Sequence, residues 1–263
     1  MVILLLACGG ASDETLLDEL RVLSMLPQAP EIAPAESTTV DVRIVDPTGD
    51  GYRALVWTCT RLGEDCLEDD EGRTPALATV DEGRAAIPVT ASPSLAAVAG
   101  EAPLALVSIW ALACAGDACP LLDDVEAGAE IDRDVWSDPT EWMASLPKEG
   151  TSLAFTSLYV STRAADQRHV NPVITVSPEA PAVAAGKTVD IEVQIAGELG
   201  SEARVWGYAT EGGFMRPSDR PNSKLLAELA WVAPESAGSA DGFILVVDGE
   251  GGGALWEGTL TAE

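Results

Sequence analysis

The cysteines are the residues of this sequence whose spacing most directly predicts covalent chemistry. Apart from Cys8 they form two close pairs: six residues separate Cys59 from Cys66, and four separate Cys114 from Cys119. Close pairs that flank loops are typical of exported, oxidised proteins, in which a disulfide ties the ends of a hairpin. A zinc site would need a CxxC motif or several histidines, and the sequence has neither. We therefore predict the disulfides Cys59–Cys66 and Cys114–Cys119, while crossed pairing, such as Cys59 with Cys114, stays open.

Cys8 stands apart because it ends an apolar run. The letters LLAC at residues 5–8 match the lipobox of bacterial lipoprotein precursors, in which a signal peptidase cuts before a cysteine whose thiol carries a diacylglycerol. No basic residue precedes the run, whereas a signal peptide normally has a positive start and an apolar core of about 7–15 residues. Either the true start codon lies upstream or the match is accidental. We predict that Cys8 is the lipidated mature N-terminus and that residues 9–14 are a short tether.

Residues for enzymatic catalysis are sparse. A Ser-His-Asp triad needs a histidine, and the one histidine, His169, lies in a polar segment that ends at Pro172. No G-x-S-x-G elbow occurs, and the glycines of DGEGGGAL lack the Lys-Ser/Thr of a phosphate-binding loop. The paired carboxylates of a glycoside hydrolase do not stand out among 43 acidic residues, so that activity stays an alternative. We predict no catalytic residue, no cofactor and no enzyme.

Calcium is the metal that the acidic turns would suit best. Asp46 and Asp50 share one turn, and residues 64–71 and 123–126 are rich in carboxylates. None of these segments has the alternating spacing and terminal glutamate of an EF-hand loop. We interpret them as acidic turns that face water, and we predict no metal site.

The net charge limits the classes of partner. With 43 acidic and 15 basic residues the chain carries a formal charge of −28. Nucleic acid binds to clustered lysine and arginine, so nucleic acid is excluded as a partner, and anionic lipid headgroups are repelled as well. The remaining partners are a membrane reached through a lipid on Cys8, another envelope protein, or a polysaccharide.

An internal repeat predicts the architecture. The segment VDVRIVDPTGDGYRALVW, residues 40–57, recurs as VDIEVQIAGELGSEARVW, residues 189–206, and the two copies begin 149 positions apart. Both alternate apolar and polar residues, break at glycine and acidic residues, and end in Val-Trp. Such alternation is typical of half-buried strands, and short strands with regular turn signals favour an immunoglobulin-like sandwich. We predict an all-β protein of two Ig-like sandwiches in tandem, with Trp57 and Trp206 as core tryptophans.

The remaining segments are assigned around this repeat. We predict domains at residues 15–162 and 172–263, with a linker at 163–171. Within the first domain, Asp138 to Pro147 has the capping aspartate and flanking prolines of a short helix, which would be an insertion before the last strand. The most apolar run, Leu104 to Cys114, is too short to span a bilayer and is predicted to be a central strand. Since every predicted partner strand of the second repeat lies after Arg163, the fragment from Asn171 to Glu263 should fold alone.

Several segments also carry a family resemblance. They are LLAC, ELRVLSMLPQAPEIAP, VWTC and DPTEWMASLPKEG in the first domain, and RVWGYATEGGF, LAWVAP and FILVVDGEGGGALW in the second. In these segments the chain resembles surface lipoproteins with tandem bacterial Ig-like domains, of the kind found in myxobacteria and related bacteria. The resemblance implies an exported, membrane-anchored, non-catalytic protein.

Two classes of function follow from these observations. The favoured one is a cell-envelope lipoprotein, at the outer membrane or cell surface, that acts as a structural, adhesion or binding module. The alternative is an exported carbohydrate-active protein, either a sugar-binding module or a glycoside hydrolase. An open groove lined by tryptophan with adjacent carboxylates would favour the alternative, whereas buried tryptophans in closed sandwiches would favour the first class.

Overall fold

The computed structural model of the chain describes residues 15–49, 51–60, 76–116, 119–126, 146–147 and 149–263. These residues divide into two compact units. The first unit is Glu19–His169, and the second is Val170–Glu263 together with residues 15–18 from the start of the chain. The predicted linker therefore lies largely within the first unit, and residues 15–18 lie in the second. The domain bounds 15–162 and 172–263 stay predictions.

The first unit has eight strands and one short α-helix among its described residues. In chain order these are β1 (Arg21–Pro27), β2 (Glu31–Ile32), β3 (Ser37–Val45), β4 (Tyr52–Thr60), β5 (Ala76–Leu77), β6 (Arg84–Thr90), β7 (Leu104–Ala115), α1 (Pro120–Glu126) and β8 (Thr151–Val160). One sheet has the order β1-β3-β6, and the other has the order β2-β8-β7-β4-β5. Short 3-10 turns lie at Pro93–Ala97 and Ala165–Gln167.

The described residues of the second unit form nine strands. They are β9 (Val173–Ser177), β10 (Ala182–Val183), β11 (Thr188–Ala196), β12 (Arg204–Ala209), β13 (Gly213–Phe214), β14 (Ser218–Asp219), β15 (Leu226–Val232), β16 (Gly238–Val247) and β17 (Gly253–Ala262). One sheet has the order β13-β15-β11-β9, and the other has the order β10-β17-β16-β12-β14.

The two units share one strand topology. In each unit, the first strand (β1 or β9) is an edge strand of the smaller sheet. The next strand (β2 or β10), which has two residues, is an edge strand of the larger sheet. There it runs parallel to the last strand of the unit, β8 or β17, whereas the other strand pairs are antiparallel. Two antiparallel sheets with this distribution of strands form an immunoglobulin-like sandwich. The predicted fold class is confirmed, and the sequence repeat corresponds to a structural repeat.

Alternation along the strands builds the two cores. In β3, Val40, Val42 and Ile44 point to one face and are at most 2 % exposed. The buried apolar row of β11 is formed by Ile191, Val193 and Ile195, which are at most 1 % exposed. Because successive side chains of a strand point to opposite faces, each strand turns one apolar row toward the facing sheet. Burial of each such side chain contributes about 1.5–3 kcal/mol.

The tryptophans of the repeat do not occupy these cores. In each Val-Trp pair the valine faces the core: Val205 is fully buried, and Val56 packs against the core of the first unit. The next residue then points to the opposite face of the sheet. Trp57 accordingly lies in a separate apolar cluster, and Trp206 is half-buried outside the core. The prediction of two core tryptophans was wrong in this respect, and Trp231 fills the second core instead.

The predicted helical insertion is not supported. Residues 127–145, which hold most of the segment from Asp138 to Pro147, lie outside the described residues, and Leu146 and Pro147 are not helical. The helix described between β7 and β8 is α1, which is nearer to β7 and spans seven residues. Its first residue is a proline, which suits the first turn of a helix because no intrahelical N–H bond is lost there.

The apolar run of the first unit is a central strand, as predicted. β7 pairs with β4 on one side and β8 on the other. Within the described part of the chain, no helix has the length and apolar character needed to cross a membrane.

Candidate functional site

The structure joins one of the two predicted cysteine pairs. Cys114 and Cys119 form a disulfide, with their Cα atoms 5.9 Å apart. Cys114 lies near the end of β7 and Cys119 directly precedes α1, so the bond fixes the start of the helix to the end of the strand. Cys8 and Cys66 lie outside the described residues. Lipidation of Cys8 and the disulfide between Cys59 and Cys66 therefore stay predictions.

An aromatic row crosses the outer face of the larger sheet of the first unit. Trp57, Trp110 and Phe155 are direct neighbours on β4, β7 and β8. The rings of Trp57 and Trp110 are almost parallel, with centroids 6.0 Å apart, and those of Trp110 and Phe155 are 4.7 Å apart and tilted by 30°. Trp57 is only 7 % exposed, while Trp110 and Phe155 are half-buried. The row stabilises the sheet by about 0.5–1.5 kcal/mol per ring pair beyond simple burial.

Helix α1 packs on the outer face of the sheet, beside the aromatic row. Leu122 of the helix packs with Leu55 of β4 and Leu112 of β7, and all three are fully buried. Arg53 donates to Asp123 at 2.6 Å and lies 3.2 Å from Glu126, but both carboxylates are exposed, so these ion pairs contribute little stability. The hydrogen bond to Asp123 raises the pKa of the Arg53 guanidinium. Disulfide and leucine packing together make this part of the outer face a closed packing surface.

Three buried polar atoms lie beside the aromatic row. Ser108 and Ser157 are paired across β7 and β8, and they are 2 % and 0 % exposed. Neither hydroxyl oxygen, nor the indole Nε1 of Trp110, has a hydrogen-bond partner within the described residues. Leaving such a group unpaired costs about 1–3 kcal/mol.

A buried carboxylate organises the segment that follows β8. Glu31 is 2 % exposed and lies on β2, beside the last residues of β8. Its Oε1 accepts from the hydroxyl of Ser161, and its Oε2 accepts from the backbone N–H of His169 at 2.9 Å. Arg163 places a guanidinium nitrogen 3.5 Å from the same Oε2. The predicted linker is thus attached to the first unit, and His169 takes part through its backbone.

A second carboxylate holds the same segment from the other side. Glu36 accepts from Arg168 and from the backbone N–H of Ala33. Arg168 also donates to the backbone oxygen of Arg163 at 3.1 Å, and Arg163 donates to that of Glu101 at 2.8 Å. The bond from Ala33 lowers the pKa of Glu36, partial burial opposes this shift, and Arg168 lowers the pKa further.

Glu36 is expected to contribute stability that is lost in acid. Its folded-state pKa lies below its unfolded value of about 4.3. The contribution is therefore fully present above that value and disappears as the pH falls through the folded-state pKa. Glu36→Gln should lower the free energy of unfolding by about 0.5–1 kcal/mol near neutral pH, because the side chain is partly exposed, and by less in acid. Urea unfolding at several pH values measures the difference.

The matched control is Glu198→Gln, which changes an exposed loop glutamate of the second unit. It should leave the stability of the first unit unchanged at every pH. A loss for Glu36→Gln that stays constant from neutral pH to strong acid would contradict the assigned role of its ionised form.

The acidic turns have internal partners. Asp46 accepts from the hydroxyl of Thr48 at 2.7 Å and from the backbone N–H of Gly51 at 3.0 Å. Burial alone would raise the pKa of Asp46, but these hydrogen bonds outweigh it and lower the pKa. No group of three or more His, Cys, Asp or Glu residues suited to a metal ion occurs in the described ranges. Residues 64–71 lie outside those ranges.

Residues 15–17 form a contact that the sequence did not indicate. Leu16 pairs in parallel with Ala209 at the end of β12, and Leu17 N–H donates to the Ala209 oxygen at 2.8 Å. The hydroxyl of Thr15 accepts from the N–H of Phe214 in β13 at 2.9 Å. Thr15 and Leu17 are 1 % and 0 % exposed. Residues 15–17 are therefore an integral part of the second unit.

One of these features, the role of Glu31, could have been found from the sequence with closer attention. Glu31 is a charged residue in an apolar segment, PQAPEIAP, where the second repeat has Ala182. A glutamate in such a position needs polar partners, and the polar segment after β8 supplies them. The contact of residues 15–17 had no such signal, because Thr-Leu-Leu is compatible with any buried strand.

Comparison with known proteins gives likeness to solved structures only. No family model matches the chain, and no curated protein matches it. The D0-D1 domain of intimin is similar at 13 % identity and a TM-score of 0.28, covering 91 % of this chain and 98 % of that one. The titin I-band fragment I67-I69 is similar at 14 % identity and a TM-score of 0.26, and the match covers 91 % of this chain and 64 % of the titin fragment. The Yersinia pseudotuberculosis adhesin InvE is similar at 10 % identity and a TM-score of 0.27, and the match covers 97 % of this chain and 61 % of the InvE chain. The fold assignment rests on the strand orders described above.

Proposed function

We propose that the protein is an exported, lipid-anchored, non-catalytic module of the cell envelope, with a structural or adhesive role. The observation that carries this proposal is the disulfide between Cys114 and Cys119 within an immunoglobulin-like sandwich. Disulfides form and persist in oxidising compartments, and small sandwich domains of this kind are common outside the cell. The lipobox at Cys8 then supplies the means of attachment.

The packing of the first unit supports a structural role. Part of its outer sheet face is covered by α1, and the segment after β8 is held by Glu31 and Glu36. Catalytic side chains usually lie on open loops held by a rigid scaffold. In this unit the polar side chains near the chain exit hold the backbone in place, which suits a stiff spacer or a display module.

Labelling at Cys8 tests the anchor. Cells that express the gene in its native context, grown with labelled palmitate, should yield a labelled protein in the membrane fraction. Cys8→Ser should abolish the label and release the protein, because the thiol that carries the diacylglycerol is gone. Cys66→Ser serves as the control, since it removes another cysteine and should keep the label. Label that persists in Cys8→Ser would overturn the lipid anchor.

A sugar-binding role is retained as the alternative because of the aromatic row. Trp110 and Phe155 are partly exposed, and stacked rings suit the apolar face of a sugar. The buried polar atoms of Ser108 and Ser157 lie beside them. The nearly complete burial of Trp57 favours packing over binding, and this is why the structural role is preferred.

A further inference from the structure

We propose that the fold of the first unit holds residues 15–17 on the second unit, so that unfolding of the first unit releases them. In the sequence the first unit, Glu19–His169, is inserted between residues 15–18 and Val170–Glu263, which belong together in the second unit. The contact of residues 15–17 therefore closes a loop of the chain that contains the whole first unit. This inference concerns the two units themselves and is independent of the proposed lipid anchor.

The first junction between the units is short. Leu17 is fully buried, and its N–H donates to the oxygen of Ala209 in the second unit at 2.8 Å. Leu20, which is 8 % exposed, already belongs to the core of the first unit, and β1 begins at the next residue. The two residues between these leucines, Asp18 and Glu19, are exposed. A folded first unit therefore holds residues 15–17 on a connection of two residues.

The second junction is equally short. Glu31 accepts from the backbone N–H of His169 at 2.9 Å, so the first unit holds the chain up to this residue. Asn171 accepts from the backbone N–H of Gly253 at 3.1 Å, which fixes the chain to the second unit. Val170, which is 67 % exposed, is the residue between these two attachments. While the first unit is folded, both of its ends are therefore one or two residues away from an attached residue of the second unit.

Unfolding of the first unit would replace this short connection by a flexible loop. The loop would run from residue 18 to residue 170, and the entropy lost on closing it grows with the logarithm of its length of about 150 residues. The effective concentration of one loop end at the other falls roughly as the −3/2 power of the length, so a tenfold longer connection lowers it about thirtyfold. The contact of residues 15–17 should therefore open more often when the first unit is unfolded.

The effect should be confined to one part of the second unit. The contact of residues 15–17 includes the hydrogen bonds from Ala209 N–H to the Thr15 oxygen at 3.0 Å and from Phe214 N–H to the Thr15 hydroxyl at 2.9 Å. The strands β9 to β17 pair with one another inside residues 173–262, so their pairing closes no loop through the first unit. Release of residues 15–17 should expose the amides of Ala209 and Phe214, while the remaining strand pairs persist.

Hydrogen exchange in the full-length protein tests this coupling. Leu158→Ala truncates a fully buried side chain in the core of the first unit, so it lowers the urea concentration at which that unit unfolds. Free exchange at the Ile44 amide, which bonds to the Gly83 oxygen, reports that the first unit is unfolded. In that state the amides of Ala209 and Phe214 should exchange about tenfold faster, or more, than in the unsubstituted protein at the same urea concentration. Leu158→Ala combined with Ile109→Ala serves if one substitution leaves the first unit folded.

The matched control is Leu104→Ala, which removes the same atoms from a side chain of the first unit that is 43 % exposed. It should keep the first unit folded and leave exchange at Ala209 unchanged. The reference amide in the second unit is that of Ile195, which bonds to the Leu225 oxygen and should exchange at the same rate in all variants. Slow exchange at Ala209 with an unfolded first unit would overturn the inference. Equal acceleration at Ala209 and Ile195 would also overturn it, because the whole second unit would then depend on the first.

Discussion

Replacing Trp231 with alanine is expected to lower the free energy of unfolding of the second unit by about 3–5 kcal/mol. The side chain is fully buried in the core and lies on β15, between β11 and β13. Its indole N–H donates to the backbone oxygen of Glu211 at 3.2 Å. Truncation therefore leaves a large cavity and one unpaired carbonyl oxygen. Since domains of this size are stable by only about 5–15 kcal/mol, the loss would unfold a large share of the molecules at moderate temperature.

The measurement is urea unfolding followed by far-ultraviolet circular dichroism, which does not depend on the removed fluorophore. Trp206→Ala is the matched control, because it removes the same ring from a half-buried position outside the core. It should lower the stability clearly less than Trp231→Ala. A loss at Trp206 that equals or exceeds the loss at Trp231 would contradict the assignment of which tryptophan fills the core.

Leu17→Ala is expected to destabilise the second unit by about 2–5 kcal/mol, although Leu17 lies far in the sequence from the rest of that unit. Leu17 is fully buried, and its N–H is bonded to Ala209. Loss of the side chain should also loosen this backbone pairing, because a short segment has few other contacts to hold it. Thermal unfolding measures the loss, and hydrogen exchange at the amide of Ala209, which bonds to Thr15, reports the pairing directly.

Leu16→Ala is the matched control for this change. It is the adjacent residue, it loses the same atoms, and it is only half-buried. The loss of stability should therefore be larger for Leu17→Ala than for Leu16→Ala. Equal losses would mean that the contact of residues 15–17 adds little stability to the second unit. The same reasoning predicts that the fragment from Asn171 to Glu263 is less stable than the unit with its first residues present.

Much of the fold was predictable because alternation is a local property of a strand. The second copy of the repeat, residues 189–206, contains nearly all of β11 (Thr188–Ala196), and β7 was recognised as a central strand from its apolar character. The two-residue strands β10, β13 and β14 were missed, since two residues are too few to show a period. Their positions depend on pairing with distant strands, which a single sequence does not show.

The direction of each side chain was harder to predict than the strand itself. Val-Trp at the end of each repeat offers two apolar residues for one core position, and the prediction placed the larger residue, tryptophan, in the core. The structure buries Val205 and turns Trp206 outward, because the phase is set by the whole of β12 and its partner β16. The role of Glu31 was also missed, since its partners at Ser161 and His169 are about 130 residues away.

The contact between residues 15–17 and the second unit has a consequence for the order of folding. The N–H of Phe214 and the hydroxyl of Thr15 are joined across 199 residues. At a synthesis rate of about 5–20 residues per second, the partner of Thr15 is made roughly 10–40 seconds after Thr15 itself. The segment of the second unit that is synthesised first is therefore the last to find its place. Leu17 must stay exposed for that interval, and closing so long a loop makes this one of the latest steps of folding.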